Sequence, residues 1–192
     1  MFTRLSDSDI QKIDKLLWLS SPAFKRNPGK HESLYSSAVQ IGKETAGLYP
    51  VKPGDIASAL VEYSLGAVKY FAQSDGDRAY YLPGERKIYI NDSFVSEMAG
   101  YFASQEVTCF TRETIVNALI LHELFHHIEE TLTQPTDSLL KSMHNTFVPP
   151  VYRDIAAFSY VNTLMPDIAC QVIDLYWLKK RHPEKYAEFD KI

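Results

Sequence analysis

Residues 111–131 read TRETIVNALILHELFHHIEET, and the fold turns on this stretch. Its length, free of Gly and Pro, predicts a helix from Thr111 to about Thr131, with Ile115, Leu121, Leu124 and Ile128 expected to line its buried face. Inside it stands His122-Glu123-Leu124-Phe125-His126, a match to H-E-x-x-H. Four residues apart on a helix, two imidazoles project from one side with Cβ atoms about 5–6 Å apart, close enough to share one zinc ion at roughly 2.0–2.1 Å. Glu123 lies about 100° further round, beside such an ion, where its carboxylate can take a proton from water. With six His in the whole chain, a random match is expected roughly 0.01 times, so coincidence does not explain it. His127 falls outside the motif and is expected at the surface or supporting the site from behind.

A catalytic zinc usually has three protein ligands and one open position. The extended pattern H-E-x-x-H-x-x-G-x-x-H would need Gly and His where this chain has Glu129 and Leu132, so that subclass is excluded. The third donor must therefore be a residue such as Asp154, Asp167, Asp174, Glu129, Glu130, Asp137 or His144. Glu129 and Glu130 share a helix with the histidines, which makes it hard for them to close a tetrahedron. Tyr152, Tyr160, His127 and His144 are the candidates for steadying a developing oxyanion.

Outward from the motif, Arg78–Leu82 and Lys87–Ile90 are rich in Tyr and Ile around Pro83-Gly84 and predict a β-hairpin. Helices are predicted over Ser8–Leu19, His31–Thr45, Ser93–Ala103, from Pro150 to Pro166, and over Asp167–Lys180. A further helix is expected to be capped by Asp55 and to carry Ile56, Leu60, Tyr63, Ala67 and Phe71 as a stripe out to about Ala72. Pro and Gly mark a loop over Ser21–Lys30, and Gln134-Pro135 opens a polar stretch to Asn145. The expected class is α+β: one mainly helical, zincin-like domain over 1–192 with a small antiparallel sheet. Residues 1–73 form its helical N-terminal part, and 74–192 hold the hairpin, the motif helix and the C-terminal helices.

The run DGDRAYYLPGERKIYINDSF, followed after about 20 residues by TIVNALILHELFHHIEE and later by RDIAAFSYVNTLMP, resembles ImmA/IrrE-type metallopeptidases, small gluzincins. The resemblance covers about residues 76–166. Aligned on Phe158, Asp154 stands where that family has a Glu as third zinc ligand, and Leu164-Met165-Pro166 follows one residue later than in the family pattern. The resemblance thus implies zinc held by His122, His126 and Asp154, with Glu123 as the catalytic base, and, if the edge of the Lys87–Ile90 strand is free, binding of an extended peptide there by strand addition.

Composition narrows the field further. A net charge of −4 argues against nucleic acid as a partner. No apolar run reaches membrane-spanning length and no signal peptide is evident, so a cytoplasmic location is expected. Cys109 and Cys170 are too few for a disulfide scaffold or a four-cysteine zinc site and read as buried, reduced thiols. Together these readings lead to an expected zinc peptidase acting on a limited protein or peptide substrate. The alternative is a zinc-binding regulatory or interaction protein that does not cut, or that cuts a single partner.

Overall fold

The structure is a computed structural model that describes residues 5–19, 31–74, 76–131 and 150–187. In chain order it contains α1 (Asp7–Leu19), α2 (His31–Leu48), a 3-10 turn (Pro53–Asp55) running into α3 (Ile56–Glu62), and the strands β1 (Lys69–Phe71), β2 (Ala79–Leu82) and β3 (Lys87–Asn91). These are followed by α4 (Asp92–Ser104), α5 (Arg112–Thr131), α6 (Pro150–Leu164), α7 (Gln171–Arg181) and the single turn α8 (Pro183–Tyr186). The class is α+β and mainly helical, as expected. The Ser21–Lys30 loop and the Gln134–Asn145 stretch, with Asp137 and His144, lie outside the described residues.

The third helix ends at Glu62, well short of Ala72. Ser64 adopts a left-handed φ of 61°; Leu65 N–H donates to the Leu60 carbonyl (2.8 Å) and Ser64 N–H to that of Val61 (3.0 Å). These are the two bonds of a Schellman stop, with Leu60 and Leu65 both buried across it. Gly66 N–H then donates to the Arg86 carbonyl (2.8 Å), and Lys69–Phe71, expected as helix, becomes β1. It pairs parallel to β3 in the register Lys69↔Tyr89 to Phe71↔Asn91. The expected hairpin forms with Ala79↔Ile90 and Leu82↔Lys87 as its end pairs. The sheet is therefore mixed, in the order β1-β3-β2, and the segment up to residue 73 supplies a strand as well as helices. Because β3 is central, both its edges are taken. The outer edges of the sheet belong to β1 and β2, and β2 is the one whose residues Ala79, Tyr80 and Tyr81 line the cavity described below.

Helix α5 touches β2, β3, α4 and α6, and α6 is covered in turn by α2. Burial consequently runs round α5 instead of following one face. Ile115 lies about 240° from Leu121, yet both are fully buried, as are Leu119 and Phe125. Helix α6 buries Ile155, Ala156, Ala157, Tyr160 and Val161. Its contact with α2 is close enough that a Cβ on Gly42 would stand 2.6 Å from Ser159 Cβ and 2.8 Å from the Tyr160 nitrogen. Ser159 Oγ donates to the Val39 carbonyl (2.7 Å) across the same contact.

Helix α7 starts at Gln171, four residues later than expected. Asn162 on α6 fixes that start by accepting the Cys170 N–H (2.9 Å) and donating to Gln171 Oε1 (2.9 Å). Lys179, Lys180 and Arg181 fill its last turn as expected. Helix α1 is capped by Ser6, whose Oγ accepts the Asp9 N–H (3.2 Å). It buries Ile13 and Asp14. Cys170 is buried and Cys109 only half-buried, both free. Among the described residues no helix is long and apolar enough to cross a membrane.

Candidate metal centre

His122 and His126 occupy successive turns of α5 on the side facing α6, with ring centroids 5.0 Å apart. Their Nε2 atoms converge to 3.3 Å. From α6, Asp154 brings Oδ1 to 3.6 Å from each. Phe158, one turn beyond Asp154, packs its ring 4.9 Å from that of His122, so a single helix face supplies both the carboxylate and the wall that holds the imidazole.

These three donors suit a zinc ion. Bonds of about 2.0–2.1 Å in a tetrahedron put neighbouring donors roughly 3.3–3.4 Å apart. The observed edges of 3.3, 3.6 and 3.6 Å come within a few tenths of an ångström of that. Two imidazole nitrogens and a carboxylate oxygen within 4.8 Å of one another form the metal-competent group among the described residues. Asp154 stays about half exposed and opens into a cavity of about 550 Å³ that Glu123, Tyr80, Arg78 and Trp177 also line.

Of the other sequence candidates, Asp174 lines this cavity but pairs with Arg78, and Asp167 is exposed on the wall of a different cleft. Glu129 sits behind His126, with Oε2 3.5 Å from Nδ1, and is gripped by Arg153 of α6. Glu130 reaches Arg153 at 3.4 Å. His127 is buried, not superficial, and faces away from the centre. Its Nε2–H donates to the Tyr63 carbonyl (2.7 Å), which leaves Nδ1 to accept from the Tyr81 hydroxyl (2.8 Å). Tyr160 donates to the Tyr49 carbonyl (3.0 Å) and Tyr152 is buried. Neither these two nor His127 lines the cavity.

The electrostatics follow from crowding these groups together. Burial, aided by the charges of Arg78 and His126, depresses His122 to about 3 against the pull of Asp154. Burial opposes protonation of His126 too, but the carboxylates of Asp154 and Glu129 outweigh it and raise this group to about 9. Asp154 is held below the usual carboxylate range: burial pushes it up, and contacts with both imidazoles and the Arg78 charge more than reverse that. Glu123, 6% exposed, is raised by burial, with His126, Arg78 and a hydrogen bond from the Tyr81 backbone opposing.

Two features escaped sequence reasoning. Glu129 was weighed only as a ligand, although its i+3 spacing from His126 already suits a hydrogen bond to the second ring nitrogen. Arg78 was not singled out at all. Its Nη2 lies 3.4 Å from His122 Nε2, its other end pairs with Asp174, and its guanidinium stacks 5.2 Å over the Phe158 ring. Comparison of the chain with protein-family models, with curated proteins and with solved structures finds no match.

Proposed function

We propose that this chain is a zinc-dependent peptidase that hydrolyses a limited protein or peptide substrate in the cytoplasm. The observation that carries the reading is the meeting of His122 Nε2, His126 Nε2 and Asp154 Oδ1 in one open cavity that Glu123 also lines. The likeness of residues 76–166 to ImmA/IrrE-type metallopeptidases supports it from the sequence side. When bound, zinc supplies Lewis acidity, lowering the pKa of water to about 7 and polarising a carbonyl.

The chain's own residues do the rest. An extended peptide lies along the outer edge of β2 beside the cavity, its backbone adding to the strand. Glu123 accepts a proton from water as the water oxygen bonds to the carbonyl carbon and the C=O π pair moves onto the carbonyl oxygen. When that pair re-forms the double bond, the C–N bond breaks and Glu123 passes its proton to the departing nitrogen, leaving an acid and an amine. The upward shift of Glu123 favours this two-way transfer, since a carboxyl nearer neutral pH both takes and returns a proton.

The test is metal content beside hydrolysis of labelled, unfolded casein. Purified protein should hold close to one zinc per chain, and Glu123→Gln should keep the metal while losing hydrolysis. Absence of zinc overturns the metal centre, and hydrolysis unaffected by Glu123→Gln overturns the base.

A further inference from the structure

We infer that Arg78 is a catalytic residue whose Nη2–H donates to the oxygen of the carbonyl under attack, carrying part of its developing negative charge. The inference rests on the peptidase reading and adds to it the oxyanion partner that sequence reasoning left among tyrosines and histidines. Those candidates do not serve: Tyr160 and His127 bond elsewhere, and with Tyr152 they lie off the cavity. His144 lies outside the described residues.

Arg78 enters the cavity wall from the start of the hairpin and is fixed at three points. Nη1 pairs with Asp174 on α7, the guanidinium lies over Phe158 on α6, and Nη2 faces His122 Nε2 at 3.4 Å. Only the last of these bonds is lost when the centre fills. An imidazole that gives its Nε2 lone pair to a metal cannot also accept from Arg78, so a donor in the cavity wall is left in need of an acceptor. Water can meet that need while the cavity is empty, since the Arg78 side chain is 22% exposed, but the oxygen of a carbonyl under attack beside it meets the need better as its charge grows. That gives the differential binding from which oxyanion stabilisation draws its effect.

Arg153, the other arginine of the cavity, has Nε and Nη2 committed to Glu129. Asp174 also keeps Arg78 from adding a net positive charge beside a cation site. The pairing thus holds a fixed, planar donor next to a metal without strong repulsion, an arrangement that suits a guanidinium better than a compact ammonium.

The experiment uses full-length zinc-loaded protein and casein, together with a phosphinic peptide built on the casein bond that is cleaved. Arg78→Ala should retain close to one zinc per chain and change KM little, while kcat falls about 10²–10³-fold. Calorimetry should show affinity for the phosphinic peptide falling in step with kcat/KM. Guanidinium chloride at low millimolar concentration should restore activity to Arg78→Ala and leave the wild type unchanged. Arg78→Lys, which keeps the charge and the stem, should fold even if the alanine variant does not, and should show the same kcat defect in milder form.

Full kcat in both variants, or loss of zinc in both, overturns the role of Arg78 and leaves the peptidase reading standing. A loss confined to KM, with phosphinate affinity intact, also overturns it, because the arginine would then bind the ground state. Wild-type protein that holds zinc and cleaves nothing overturns both readings.

Discussion

Arg153 binds both carboxylate oxygens of Glu129: its Nε donates at 2.9 and 2.8 Å, and its Nη2 approaches Oε2 at 2.8 Å. The pair bolts α6 to α5 one residue from Asp154 and three from His126, while Glu129 also reaches His126 Nδ1. It therefore sets the distance between the helices that carry the donors and the orientation of one imidazole. Arg153→Ala should lower zinc affinity about 10–100-fold, measured by competition with a chelator. It should also destabilise the metal-free protein by about 2–3 kcal/mol, less than for a fully buried pair because Arg153 is one-third exposed. Unchanged zinc affinity would show that the pair supports the fold and not the centre.

Asp154 and Asp174, which both line the cavity, should behave in opposite ways. Asp154→Ala removes a converging donor, and zinc content should fall to a small fraction of one per chain. Asp174→Ala removes only the partner of Arg78, and zinc should remain. Metal analysis of the two variants after the same dialysis decides between them; the reverse result would move the third ligand from α6 to α7.

What could be read in advance was local. The His122–Glu123–His126 relation is fixed by helix geometry alone, so it survives without knowledge of the packing. The stop at Ser64 was hidden because Ala67 and Phe71 continue a helical spacing, and a left-handed Ser gives a weaker signal than a Gly would. Asp154 was one of several candidate donors and was singled out only through the likeness around Phe158, since the separation of two helices is not written in either. Arg78 meets His122 across 44 residues, and no periodicity predicts such a meeting. The hairpin was legible from its Tyr and Ile runs, but its place at the sheet edge depended on β1, which had been taken for helix.

Asp14 supplies a pH test at a residue that is not a metal donor, although it lines a cavity shared with Asp154 and Arg78. It is 1% exposed, its Oδ2 accepts from Tyr35 (3.1 Å), and Oδ1 has no partner among the described residues. Burial raises it to about 7 against the hydrogen bonds of Tyr35 and Gln171. Between the ordinary carboxylate range and about pH 7 the folded protein therefore keeps a proton that the unfolded chain has released. Its contribution to stability declines as pH rises through that window and is lowest above it. Asp14→Asn removes the titration, so the gain over wild type in denaturant midpoint should be larger at pH 8 than at pH 5. An equal difference at both values would mean that Asp14 titrates normally.

Gly42 tests whether the N-terminal helices shape the centre. A Cβ there would collide with the Ala156 carbonyl oxygen and fall within 2.6 Å of Ser159 Cβ and 2.8 Å of the Tyr160 nitrogen. Two of these three atoms are backbone, so rotation of a side chain cannot relieve the clash and the helices must part. Alanine is the better helix former, and an exposed Gly→Ala change would stabilise α2 by up to about 1 kcal/mol. Here overpacking should win, giving a net loss of about 1–3 kcal/mol in urea denaturation. Because α6 carries Asp154 on its α5-facing side, the same variant should also bind zinc more weakly, though it touches no donor. Gly47, on the same helix with open space around its missing side chain, is the control: Gly47→Ala should leave zinc affinity unchanged and hold or raise stability. If Gly42→Ala weakens the fold while zinc affinity stays at the wild-type value, α2 supports α6 without setting the position of Asp154.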